Sequence, residues 1–189
     1  MEAWVDRALK RWPNVPALYG WLKLDRRGRW LIQGETISRL QIIDTINRNY
    51  AVDDRGCWYF QNGPQRGYMQ LEYAPLVLRA TSDDKLMTHT ELAVEQVYEV
   101  AMDEEGALLL RTEHGPGALI DDELEWALQR MRVATKAVNE SQLATALALP
   151  SGQVASVSLM WRDAQVSVIR IDARDAPAHF GFVREPQPL

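Results

Sequence analysis

Residues 21–60 read WLKLDRRGRWLIQGETISRLQIIDTINRNYAVDDRGCWYF, and one phrase occurs in them twice. Asp-x-Arg-Gly-x-Trp stands at Asp25–Trp30 and again at Asp53–Trp58. An acidic residue three places before a glycine suits a tight turn. The carboxylate caps backbone N–H groups at the turn's entry, and glycine accepts the positive φ at its exit. Short apolar runs flank both copies, so each is expected to be a β-hairpin. Between them, Ser38 to Tyr50 carries a helical period, with Leu40, Ile43, Ile46 and Tyr50 as its apolar stripe and Ser38 with Gln41 as a capping box. The expected unit is hairpin, helix, hairpin.

Working outward, Ala3 to Trp12 has the spacing of a short amphipathic helix that stops at Pro13. Beyond the organising stretch, residues 62–67 read as a loop and Tyr68 to Ala80 as extended chain. Asp103-Glu104-Glu105-Gly106 is a third acidic turn between strand-like runs. A second helix is expected over 121–133 and a third from Glu140 to about Ala148, capped by Asn139. A hairpin follows over 154–171, then a short strand over 180–183 and a frayed Pro-rich end. Hairpin 21–32, helix 38–50 and hairpin 50–60 thus stand against hairpin 97–110, helix 121–133 and hairpin 154–171. The expected fold class is α+β: two similar lobes of antiparallel β-hairpins, each packed on one main helix. The lobe boundary is drawn so that residues 1–68 form the first and 69–189 the second.

At 189 residues, 47% hydrophobic and 25% charged, the composition is that of a globular chain able to bury a real core. No apolar run approaches a membrane span, and the N-terminus has no apolar signal core. One cysteine excludes an internal disulfide framework and fits a reducing compartment, so a cytoplasmic location is expected. A net charge of −5 argues against nucleic acid as the main partner. The charge is uneven: residues 1–80 hold 12 basic and 8 acidic side chains, residues 81–189 hold 9 and 18. That asymmetry fits two solvated surfaces of different sign, or a complementary contact, internal or with a second copy.

Leu22-Lys23-Leu24-Asp25, Gly28-Arg29-Trp30, Gly34-Glu35-Thr36-Ile37-Ser38-Arg39 and Ala74-Pro75-Leu76-Val77 resemble a proteobacterial family, domain of unknown function 1285, or a sister of it. Gly117-Ala118-Leu119 is similar to the approach to that family's late helix. The resemblance spans about Leu18 to Met131. It implies a two-lobed α+β fold and a signalling role, and it supplies no catalytic residues. This chain departs from it at Ile32, where the family pattern places a histidine.

Cys57 sits on a strand beside Trp58 and Tyr59, where a thiol is a small buried hydrophobe. His89, His114 and His179 lack metal-ligand spacing. The acidic groups at 103–105 and 121–125 read as a turn and a helix start. The acids after the loop 114–117 make it a poor phosphate cradle. No cofactor, metal set or catalytic residue is expected. Arg26, Arg27, Arg29 and Arg55 crowd the tips of the two hairpins and are the candidates for meeting an anion or an acidic partner. Trp21 and Tyr59 point to the opposite face of the hairpins from Leu22, Trp30 and Phe60. That face is expected to be covered, by the N-terminal helix or by a partner. The expected function is a non-catalytic, regulatory module that binds a small ligand or a protein partner. The alternative is an enzyme of unrecognised type, using Cys57 or a histidine in a cleft between the lobes.

Overall fold

The computed structural model describes residue 12, residues 14–81 and residues 85–188; the expected N-terminal helix lies outside these except for Trp12. The protein is mixed α/β and mostly strand. Its chain divides into two units, Met1–Pro75 together with Gly181–Leu189, and Leu76–Phe180.

The first unit is built from two meanders. β1 (Ala17–Leu24), β2 (Trp30–Ile32) and β3 (Glu35–Thr36) form one; β4 (Tyr50–Val52), β5 (Trp58–Asn62) and β6 (Gln65–Leu71) form the other. Parallel pairing of β1 with β6 joins them into a six-stranded sheet of order β3-β2-β1-β6-β5-β4. Helix α1 (Leu40–Arg48) connects β3 to β4. Alternation along the strands buries Leu22, Leu24, Trp30, Ile32, Trp58 and Phe60, as their pattern requires. On α1 only Ile46 is fully buried, and Leu40 is exposed, so the apolar stripe is narrower than its spacing suggested. An apolar cavity of about 180 Å³ is lined by Trp12, Leu22, Ile32, Ile37, Ile46 and Phe60.

Three boundaries differ from the sequence reading. Residues 65–71 are a strand, because Asn62 and Gln65 close a tight hairpin that lets β6 pair along β5. Residues 69–75 fall in the first unit, since Met69 and Leu71 continue that strand against β1. Residues 181–184 are docked there as well: Leu71 N–H donates to the Arg184 carbonyl and Val183 N–H to that of Gly56. In place of a strand at 180–183, a short helix runs from Ala176 to Phe180.

The second unit holds one ten-stranded sheet. At its centre β10 (Val97–Met102), β11 (Leu108–Thr112) and β12 (Gly115–Leu119) repeat the meander. β7 (Leu76–Ala80) runs parallel to β12, and β8 (Leu86–Thr88) and β9 (Ala93–Val94) extend that edge. On the other side β16 (Ala164–Arg170) runs parallel to β10, followed outward by β15 (Gln153–Trp161), β13 (Met131–Val133) and β14 (Lys136–Ala137). Leu78, Leu86, Leu108, Leu110, Leu159 and Val168 form the centre of its core.

The helix expected over 121–133 is broken. A 3₁₀ turn at Asp121–Glu123 leads into α2 (Leu124–Leu128), and the chain is already strand by Met131. The helix that follows a hairpin here is α3 (Glu140–Leu147), whose Leu143, Ala146 and Leu147 pack into the core. Its surroundings recur 101 residues from those of α1. Gln33 and Ala134 both turn at positive φ, 49° and 52°. Ile37 N–H donates to the Trp30 carbonyl, and Val138 N–H to that of Met131. The capping box belongs to α3, where Asn139 and Gln142 cap each other reciprocally; α1 starts after Arg39 with no side-chain cap bond.

Candidate functional site

Three aspartates fold their turns in one way. The Oδ1 atoms of Asp25, Asp53 and Asp103 each accept N–H groups from the residues two and four places on, at 2.8–3.0 Å. Gly28, Gly56 and Gly106 close the turns at φ 77°, 78° and 88°. Glycine is needed because a Cβ would crowd the carbonyl in that left-handed region. With Oδ1 engaged, the second carboxylate oxygen decides what each turn presents. Asp25 Oδ2 takes the Arg29 guanidinium at 2.6 Å. Asp53 Oδ2 takes Arg55 at 3.2 Å and the Tyr68 hydroxyl at 3.2 Å.

That second bond ties the β4–β5 turn to a cluster of aromatic rings on one sheet face. Register places Tyr59 of β5 opposite Tyr68 of β6, with centroids 5.7 Å apart. Tyr19 of β1 stacks on Tyr68 at 4.6 Å, nearly parallel. A register shift between Leu18 and Leu22, with Gly20 at φ 73°, accompanies that placement. Arg66 lies over the Tyr59 ring at 4.4 Å and Arg55 over Tyr68 at 5.6 Å. Such contacts favour a guanidinium lying over the ring face, where the ring quadrupole is negative. Beneath the rings Cys57 is buried, with Ala17, Ala51 and Val183 packed around it.

Burial would raise the Asp53 carboxyl, but the N–H groups of Cys57 and Arg55, the Arg55 guanidinium and the Tyr68 hydroxyl outweigh it and hold the group below the usual carboxylate range. The hydroxyls of Tyr19 and Tyr68 hold Arg55 firmly protonated. The Tyr68 and Tyr59 phenols do the same for Arg66. Burial, and then the charge of Asp53, push the Cys57 thiol up, which disfavours the thiolate. This face offers positive donors fixed over rings that are themselves largely buried, Tyr59 and Tyr68 being 9% and 6% exposed, and its buried thiol is held toward the protonated form.

The residues singled out in the sequence divide among three settings. Arg55 and Tyr59 belong to this face. Arg26 lies over Tyr73 at 4.3 Å, a ring that Arg184 also covers, while Arg29 is bound to Asp25 and Arg27 sits exposed in the same turn. Trp21 packs edge-on against Trp12 at 5.9 Å. Tyr19, Tyr68 and Arg66 were missed. Reading 62–67 as a loop hid the pairing of β6 with β5; the alternation of Arg66, Tyr68 and Gln70 was the signal that could have found them. The histidines have separate partners: His89 Nδ1 meets the Val77 N–H, His114 the Ala93 carbonyl, and His179 the carboxylate of Glu99. Among the described residues no helix is long and apolar enough to cross a membrane.

A solved structure of a domain of unknown function 1285 family protein from Silicibacter pomeroyi is similar, with TM-score 0.54 and 12% identity over 81% of this chain and 81% of that chain. A second member, from Shewanella baltica, gives TM-score 0.43 and 15% identity over 56% of this chain and 87% of that one. The first likeness shows a shared fold, and the resemblance read from residues 18–131 is borne out to that extent. The search of curated proteins finds no match. The model of domain of unknown function 2944, described as a protein of unknown function (DUF2946), matches residues 1–187. The chain belongs to that family.

Proposed function

We propose that this protein is a non-catalytic binding module that takes an acidic segment of a protein partner on the tyrosine–arginine face of its first unit. The observation that carries the reading is Arg66. Its guanidinium is held over Tyr59 with Gln61 as its hydrogen-bond acceptor, and it has no carboxylate partner among the described residues. A cation positioned by a ring, and without an ion pair among the described residues, can take a carboxylate without first breaking one. Arg55 beside it is shared with Asp53 and orients the face. Cys57 is buried and its thiol is pushed up by burial and by Asp53, which favours binding over an enzyme that uses it. The same reading places the protein in the cytoplasm, where a lone thiol stays reduced. It also takes the architecture as two similar lobes from one duplicated unit, supported by the matched turns and hydrogen bonds around α1 and α3.

The test is fluorescence anisotropy with a labelled Asp/Glu-rich peptide at low and moderate salt. The expected result is salt-sensitive, saturable binding that Arg66→Ala weakens about tenfold, the loss of roughly one charge-assisted hydrogen bond. Absence of binding by the unaltered protein, or indifference to Arg66→Ala, overturns the proposal.

A further inference from the structure

The second unit carries a cavity of about 750 Å³ whose walls are basic. Three segments form it: Lys85 just before β8, Gln129–Arg132 where α2 passes into β13, and Met160–Asp163 at the tip of the β15–β16 hairpin. They are held in register by the backbone. Met160 N–H donates to the Arg130 carbonyl at 2.9 Å, and Met131 pairs with Leu159. Among the described residues the charged side chains lining the cavity are Lys85, Arg130, Arg132, Arg162 and Asp163, and Lys85 and Arg130 each have a further partner. Residues 81–189 contain 9 basic and 18 acidic side chains, so four of the nine cations converge where the surrounding sequence is strongly acidic.

Each arginine described here is oriented. Arg130 lies over the Trp126 ring at 4.2 Å and donates Nη1 to the Trp126 carbonyl at 3.0 Å. Arg132 anchors Nη1 on the carbonyls of Gln129 and Met131, at 2.8 and 2.9 Å, which leaves its Nε–Nη2 edge as a two-donor fork. Arg162 is paired with Glu95 and sits 5.7 Å over Trp161. Its backbone is at φ 53°, a left-handed conformation that long side chains rarely adopt and that glycine would take without strain.

We propose that this cavity binds a small polyanion, a metabolite carrying phosphate or several carboxylates, with Arg132 as the bidentate donor and Arg162, Arg130 and Lys85 supplying the field. Fixed guanidinium groups lose little rotamer freedom on binding, and a fork matches either oxyanion. The site is separate in sequence and composition from the face proposed above and does not depend on that reading.

Isothermal titration with inorganic pyrophosphate and, separately, citrate tests it. The expected result is saturable one-to-one binding of at least one probe, weakened tenfold or more by Arg132→Ala and restored only in part by Arg132→Lys, which keeps the charge but not the fork. Pyrophosphate binding more tightly than citrate assigns a phosphate ligand, and the reverse order a polycarboxylate. Arg162→Gly is the decisive variant. It relieves the left-handed strain, so the melting temperature should hold or rise while affinity falls, a split that a structural role for Arg162 would not produce. Arg66→Ala should leave both probes unaffected. No saturable binding, or binding unchanged by Arg132→Ala and Arg162→Gly, or weakened equally by Arg66→Ala, overturns the proposal.

Discussion

Gly56→Ala separates two effects that a glycine turn usually confounds. At φ 78° an alanine meets the left-handed penalty of about 1 kcal/mol. At Gly56 a Cβ would also stand 2.4 Å from the Gly181 carbonyl oxygen and 3.2 Å from Phe182 Cα. Both neighbours are backbone, and Val183 N–H is fastened to the Gly56 carbonyl at 3.0 Å, so the 181–183 segment must be displaced. Overpacking of this kind adds roughly 2 kcal/mol, for about 3 kcal/mol in all. Gly106→Ala is the control: the same Asp turn at φ 88°, with its nearest neighbour, a Leu147 methyl, 4.0 Å away. It should lose about 1 kcal/mol. Gly34→Ala, at φ 86° with open space around it, gives a second control within the first unit. Urea unfolding followed by tryptophan fluorescence and far-UV circular dichroism reads all three. Equal losses for Gly56→Ala and the controls would refute the argument that the 181–183 segment is rigidly seated against this turn.

Glu99 accepts from Arg111 Nε at 2.9 Å and meets His179; burial opposes its charge, but these partners hold its carboxyl below the usual range. The stability it contributes is therefore present above the ordinary glutamate value and lost as pH falls through the lowered one. Glu99→Gln should flatten the acid limb of a melting-temperature profile below about pH 4.3, and an unchanged limb refutes it. The buried Cys57 thiol, raised by burial and by Asp53, should react with a disulfide reagent at pH 8 many-fold more slowly than free cysteine, reaching the free rate in denaturant. Asn139→Ala removes the reciprocal cap of α3 and should lower stability by about 1 kcal/mol in urea; no loss would mean that solvent replaces the cap fully. Gly117→Ala would set a Cβ 2.8 Å from Cγ of the fully buried Leu78, and should cost more than 1 kcal/mol by the same measurement.

The turns were legible because their chemistry is local. Asp25, Asp53 and Asp103 close on N–H groups within four residues, so spacing alone located all three. The burial of Trp30, Trp58 and Phe60 followed from period-two alternation in the same way. What escaped notice was decided at a distance. The Asp121–Glu123 acids promised a long helix, yet Arg132 and Val133 pair with Ser158 and Val157, and that ladder ends the helix at Leu128. The Asn139 cap of α3, by contrast, is local and stands where its spacing put it, whereas α1 starts one residue later than expected, after Arg39. Of the candidate site, Arg55 and Tyr59 could be named from the repeat, but Tyr68 joins them only through β5–β6 register and Tyr19 only through the parallel β1–β6 contact. No short window contains that face.

The first unit is discontinuous in the chain, leaving at Pro75 and resuming at Gly181. During synthesis its sheet emerges long before the residues that brace its second Asp turn. Everything from Leu76 to Phe180 must be translated first, roughly five to twenty seconds at about 5–20 residues per second. The nascent first unit therefore waits with the Gly56 carbonyl and the Leu71 N–H lacking their final partners. A stop codon after Phe180 would leave it in that state permanently, and the stability of the first unit should fall.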